Sequence, residues 1–183
     1  MNPDRVHILG ASGSGTTTLG KALSARLRCP HYDTDDYFWL PTDPPFQEKR
    51  DSADRQHLLR KDLARSDCWV LSGSLCGWGD VFIPQFTLVV FLWLPTEVRI
   101  ERLISRERSR YGDDVLPGGP MHDAHLRFLD WASEYDKGGM DMRSRQRHEA
   151  WLANLPGPVV RIEGDVALED QVRLALHHIA KPW

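Results

Sequence analysis

The sequence predicts an α/β fold, a parallel sheet covered by helices on both faces. Three observations predict it. Short apolar runs alternate with helical stretches along the chain. Residues 87–94 (Thr-Leu-Val-Val-Phe-Leu-Trp-Leu) are apolar on both faces, as a strand at the centre of a parallel sheet must be. The first apolar run passes through a Gly/Ser/Thr stretch straight into a helical pattern. With 183 residues, 41% of them hydrophobic and 27% charged, residues 1–183 suit one domain with a real core.

Taken in order, residues 5–9 (Arg-Val-His-Ile-Leu) read as a buried strand ending at Gly10. A helix follows, with Leu19, Leu23 and Leu27 at helical spacing. Residues 29–33 form a short second strand that ends in an acidic cluster. Residues 34–47 carry Tyr37, Phe38, Trp39, Pro41, Pro44, Pro45 and Phe46, and read as a loop of large side chains. A helix over 52–65 takes Ser52 as its N-cap. Residues 69–73 are the third strand and 87–94 the fourth. Pro95 and Thr96 open a charged helix to about Arg110, and 112–120 is a mobile loop rich in Gly and Pro. Helical stretches lie near 121–136 and 142–154. Residues 158–163 are the last strand, and 166–180 a closing helix with Leu168, Val172, Leu176 and Ile179 on one side.

Composition excludes several classes. A net charge of −3 and a pI of about 6.2 show no basic excess, so no nucleic-acid partner is expected. No apolar run approaches the ~18 residues of a membrane helix. The N-terminal residues lack the pattern of a secretory leader, and the expected compartment is the cytoplasm. Cys29, Cys68 and Cys76 are odd in number and have no metal-ligand spacing, so buried reduced thiols are expected. Monomer and homodimer both stay open; an exposed Trp183 alone decides nothing.

Glycines at 10, 13 and 15, set between a strand and a helix, make the segment Gly10-Ala11-Ser12-Gly13-Ser14-Gly15-Thr16-Thr17 a phosphate-binding loop. Glycine lets successive backbone N–H groups turn toward an anion, and the helix start adds its positive end. The loop residues Gly10, Ser12, Gly13, Ser14, Gly15, Thr16, Thr17 and Thr18 are the expected ATP contacts. Thr17 offers a hydroxyl for Mg²⁺. Position 16, where the pattern G-x-x-x-x-G-K-[ST] has lysine, is threonine. A cation from elsewhere must then neutralise the terminal phosphates. Lys21, one turn further, is expected to point away.

The charged helix supplies cations. At 100° per residue, Arg99, Arg102, Arg106 and Arg110 fall within about 80° of one another. Ile100, Leu103 and Ile104 form a neighbouring face expected to dock on the sheet. Arg102, Arg106 and Arg110 beside a Gly/Pro-rich segment suit a lid, at about 108–122, that closes on phosphates. The alternative is a solvated face paired with Glu97, Glu101 and Glu107. At the end of the second strand, Asp33 and Asp35 share one face of an extended segment, while Asp36 points elsewhere. Such carboxylates can hold Mg²⁺ or take a proton from an acceptor hydroxyl. The third strand ends in Ser72, where a metal-associated aspartate is common.

The chain resembles the small P-loop kinases: nucleoside monophosphate, shikimate and gluconate kinases. The resemblance rests on the 10–17 loop, Tyr32-Asp33-Thr34-Asp35, Leu71-Ser72-Gly73 and Val89-Val-Phe-Leu-Trp-Leu-Pro95. It continues in Arg102-Leu-Ile-Ser-Arg106-Glu and Val159-Val-Arg-Ile-Glu-Gly164-Asp165. It implies a three-layer fold with a five-stranded parallel sheet in order 2-3-1-4-5 and an arginine-bearing lid. It further implies Asp33 near Mg²⁺, Asp35 near the acceptor, and Gly164 near the adenine. The acceptor region falls at about 34–66. Tyr37, Phe38, Trp39, Trp78, Trp131 and Tyr135 are candidate walls, and Arg50, Arg55, Arg60, Arg143 and Arg145 are candidate cations for it. The expected function is transfer of the ATP γ-phosphate to a small-molecule or nucleotide acceptor. The alternative is a nucleotide-binding regulator, or degenerate kinase, that lacks efficient transfer because of Thr16.

Overall fold

The structure, a computed structural model, describes residues 4–179. Ala180, at the expected end of the closing helix, and Trp183 lie outside the described residues. Five strands, β1 (Arg5–Gly10), β2 (His31–Asp33), β3 (Trp69–Ser72), β4 (Leu88–Trp93) and β5 (Val159–Glu163), form one parallel sheet. Their order is β2-β3-β1-β4-β5, as the resemblance implies. The helices are α1 (Thr16–Leu27), α2 (Thr34–Phe38), α3 (Ser52–Leu63), α4 (Thr96–Tyr111), α5 (His122–Ser133), α6 (Arg145–Leu152) and α7 (Leu168–Ile179).

Strand alternation divides the core into two layers. Val6, Ile8, Val70, Leu88, Val90 and Leu92 face one side and pack on Leu19 and Leu23 of α1 and on Val172 and Ala175 of α7. Leu9, Trp69, Leu71, Val89 and Phe91 face the other, against Leu59 and Leu63 of α3 and Trp151 and Leu152 of α6. His7, fully buried on β1, sits 3.1 Å from the Leu71 carbonyl through Nδ1 and stacks on Phe86.

Several local expectations are corrected. Residues 34–38 are not loop but the short helix α2, because the Asp33 side chain accepts the Asp35 N–H and starts a helical turn. An isolated bridge between Trp39 and Lys49 then closes the following loop. The cap of α3 is Asp51, which accepts the Ala53 N–H, one residue before Ser52. The segment after α4 begins with a 3₁₀ turn over Gly112–Val115, and the Met121 N–H returns to the Asp114 carbonyl.

Cys29 and Cys68 are not reduced thiols; they form a disulfide, and Cys76 alone is free. The register explains the pairing. Since His31 lies opposite Val70 on adjacent strands, Cys29 and Cys68 meet just before those strands begin. The bond staples a three-residue edge strand and closes a loop of 39 residues, a constraint of about 2–4 kcal/mol.

Candidate active site

The carboxyl ends of the strands open into a cleft of about 1440 Å³. Residues 10–18 line one end of it. Gly13 and Gly15 have φ of +83° and +94°, in the left-handed region. A Cβ on Gly13 would also lie 2.6 Å from the Arg99 carbonyl, so α4 packs directly behind the loop. No side chain caps α1, which leaves its first-turn N–H groups open toward the cleft. The Ser14 hydroxyl is buried in the loop without a partner among the described residues.

Beside the loop, three elements meet at one carboxylate. The Thr17 hydroxyl of α1 donates to Asp33 Oδ2 at 2.6 Å, and the Ser72 hydroxyl of β3 donates to the same oxygen at 3.1 Å. His31 Nε2 lies 2.9 Å from Ser72 Oγ. Burial holds the His31 pKa below its ordinary value. Asp35 stands beside this node through the helix cap rather than through strand alternation. Its carboxyl is reached by water through the cleft. The surrounding protein still desolvates it and pushes its pKa above the usual carboxylate range, although Arg143, Arg106 and a Trp39 hydrogen bond pull the other way. Asp36 also lines the cleft, contrary to expectation. So does Lys21, expected to point away, which acts electrostatically on His31 and Asp36.

The arginine stripe divides in two. Arg99 faces inward and is fully buried. It donates to the carbonyls of Leu94, Ser12 and Ala132 and to the Thr96 hydroxyl, and pairs with Asp136 at 3.4 Å. The docking face is therefore Arg99 and Leu103; Ile104 is exposed. Arg102, Arg106 and Arg110 line the cleft. Arg102 pairs with Asp165 at 2.6 Å, and its Nη1 would lie 3.8 Å from a Cβ on Gly15. Arg106 and Arg110 share Glu107, at 3.0 and 3.8 Å. Arg110 also stacks on Phe46.

The far end is walled by Phe38, Trp39, Trp78, Phe128 and Trp131. Arg50 and Arg55 do not reach it. Arg50 holds the Tyr37 and Trp39 carbonyls, and Arg55 lies 3.8 Å over the Phe38 ring. Arg145 packs on Trp93. Arg143 and Arg147 supply the cations there. Ser144 caps α6 by accepting the Arg147 N–H, which sets Arg147 and His148 in the first turn. His148 is buried between Tyr135 (2.8 Å) and Ser74 (3.2 Å), and burial, with Arg143 next, lowers its pKa to about 3. Burial pushes the nearby Cys76 thiol up.

Residues 6–124 match the family described as AAA domain. The chain belongs to that family. A relative within reach is the "Uncharacterized protein YqaC" of Bacillus subtilis (strain 168), 50% identical over 175 residues, or 96% of this chain and 97% of that protein. Among solved structures, the shikimate kinase of Acinetobacter baumannii in complex with shikimate superposes with a TM-score of 0.57. It is 17% identical, over 97% of this chain and 93% of that one. A sugar kinase from Janibacter sp. HTCC2649 gives 0.54 at 17% identity, over 97% and 94%. At such identities the likeness shows the fold, which is that of the small P-loop kinases.

In this AAA-domain chain, sequence reasoning gave no site role to Arg147, His148 or Asp165, and named Glu107 only as an arginine partner on a solvated face, where the pairing holds but Glu107 is buried. One signal was available: Ser144 three residues before Arg147 marks a helix start at the site's edge. Buried Glu107 and the Arg102–Asp165 pair depend on how α4 is rotated, which helical spacing alone leaves open.

Proposed function

We propose that this protein is an ATP-dependent kinase of a small hydroxyl-bearing acceptor that carries an anionic group. The observation that carries this reading is that the phosphate loop, the Thr17–Asp33 pair and Asp35 open onto one cleft lined by arginines. The loop's backbone N–H groups bind the phosphates, with Ser12, Ser14, Thr16 and Thr18 around them. Mg²⁺ fits the oxygen donors of Thr17 and Asp33. When bound there, it would neutralise charge on the terminal phosphates. Among the cleft-facing arginines Arg102 comes beside the loop at Gly15, and it takes the place left by Thr16.

Asp35 is the general base. Its raised pKa leaves it a better proton acceptor than an ordinary carboxylate. The acceptor hydroxyl oxygen bonds to the γ-phosphorus, the bond from that phosphorus to the β–γ bridging oxygen breaks, and the hydroxyl proton passes to Asp35. ADP leaves with the bridging oxygen. Arg106 and Arg110 stabilise the charge that spreads over the transferring group. Arg143 and Arg147, beside aromatic walls, bind the acceptor's anion.

The test is ADP release from ATP and Mg²⁺ by the purified chain, across hydroxy acids, sugar acids and nucleoside monophosphates. Acceptor-dependent release is expected for at least one anionic class. Asp35→Asn should lower that rate by ~10²–10⁴ while ADP still binds. No acceptor-dependent release anywhere in the set, with ADP binding intact, would favour the regulator that Thr16 allows.

A further inference from the structure

We propose that Ser72 and His31 are positioning residues for Asp33, which set its carboxylate for the cation end of the site. This rests on the reading of Thr17 and Asp33 as the magnesium end. The hydrogen-bond directions carry the argument. An ionised carboxylate only accepts, so the single Ser72 proton goes to Asp33 Oδ2. Ser72 Oγ must then accept from His31, which makes Nε2 the protonated ring nitrogen. The Thr17 proton goes to the same Oδ2, and the Asp35 N–H holds Oδ1. Both carboxylate oxygens are thus fixed, and the lone pairs of Thr17 are left for a cation.

The sheet and α1 are shaped around this chain of bonds. Asp33 and Ser72 are register partners on β2 and β3. On α1, Gly20 is buried mid-helix, where glycine is a poor helix former. A Cβ there would lie 2.5 Å from His31 Nε2 and 3.2 Å from Ser72 Cβ. Glycine at 20 is what lets the imidazole reach Ser72. Residues of α1, β2 and β3 therefore make room for one hydrogen-bonded line that ends on Asp33.

Calorimetric titration of ADP into the full chain, with and without Mg²⁺, tests this. The wild type should bind ADP more tightly with Mg²⁺. Ser72→Ala should lose about 10-fold of that gain, the usual scale for a partner behind a metal ligand, with metal-free ADP affinity unchanged. Ser72→Thr should keep the gain. His31→Phe should lose part of it, and Gly20→Ala, which favours helix yet displaces His31, should copy that loss. A Ser72→Ala protein with the full wild-type gain overturns the inference and leaves the kinase reading standing. A wild type with no magnesium gain overturns both.

Discussion

At the loop end of the cleft the arginines and Asp33 are already paired within the chain, whereas at the aromatic end Arg143 and Arg147 are held by no salt bridge, Arg143 acting on Asp35 only through its field. Asp33 accepts from Thr17 and Ser72, Arg102 pairs with Asp165, and Arg106 and Arg110 share Glu107. Arg143 and Arg147 make no ion pair among the described residues. Arg143 lies near the Trp131 ring, and Arg147 packs against the Gly77 backbone. The difference teaches how each ligand must enter. A nucleotide that recruits Arg102 meets a guanidinium already oriented by Asp165 through Nη2, with Nη1 turned toward the loop. On the proposed reading, an anionic acceptor meets two arginines with no salt bridge to break.

The largest effect should separate two arginines one turn apart on α4. Arg99→Met leaves several buried acceptors and part of Asp136 without their donor, and should cost about 3–5 kcal/mol in urea unfolding. Arg102→Met removes a solvent-exposed pair, should change stability by no more than about 1 kcal/mol, and should weaken ADP binding instead. Equal stability losses would break the division of the stripe into a buried clamp and a ligand-facing row.

Next comes pH. His7 and His148 have native pKa values lowered to about 3 from 6.5, chiefly by burial. Between those values the unfolded chain binds their two protons and the folded chain does not. Stability should therefore fall as pH drops from about 6.5 toward 3, by up to ~2.7 kcal/mol per pH unit. His148→Gln should remove about half of that slope, as read from urea midpoints at successive pH values.

The acceptor end is probed by Arg143→Met with Arg147→Met. The double variant should raise the acceptor KM by about 10- to 100-fold, the loss of charge-assisted hydrogen bonds, with kcat and ADP affinity less affected. A loss of ADP affinity instead would place these cations at the nucleotide end. The smallest effect belongs to Thr16→Lys. With Arg102 near the loop, it should raise ADP affinity by less than about 10-fold in the wild type and by more in an Arg102→Met background. An equal gain in both would show that Arg102 does not serve the phosphates.

Much of the fold was legible because it rests on local pattern. β4 reads as a central strand since both faces are apolar, and the glycine loop reads as a turn between strand and helix. The misreadings came where one side-chain contact outweighs pattern. Asp33 caps Asp35 and turns an expected loop into helix, and Asp51 rather than Ser52 caps α3. Nor does spacing show that strand register brings Cys29 against Cys68.

By itself the sequence determined a phosphate loop on a parallel sheet, the missing lysine at Thr16, and which arginines and aspartates were available. Backbone periodicity and glycine chemistry act over a few residues, so they can be read in a line. Only the tertiary structure decided that Arg99 turns inward while Arg102 reaches the loop, that Arg147 rather than Arg145 lines the cleft, and that His31 and Ser72 line up on Asp33. Those outcomes depend on helix rotation and on the packing of segments tens of residues apart, for which the linear order carries no distance.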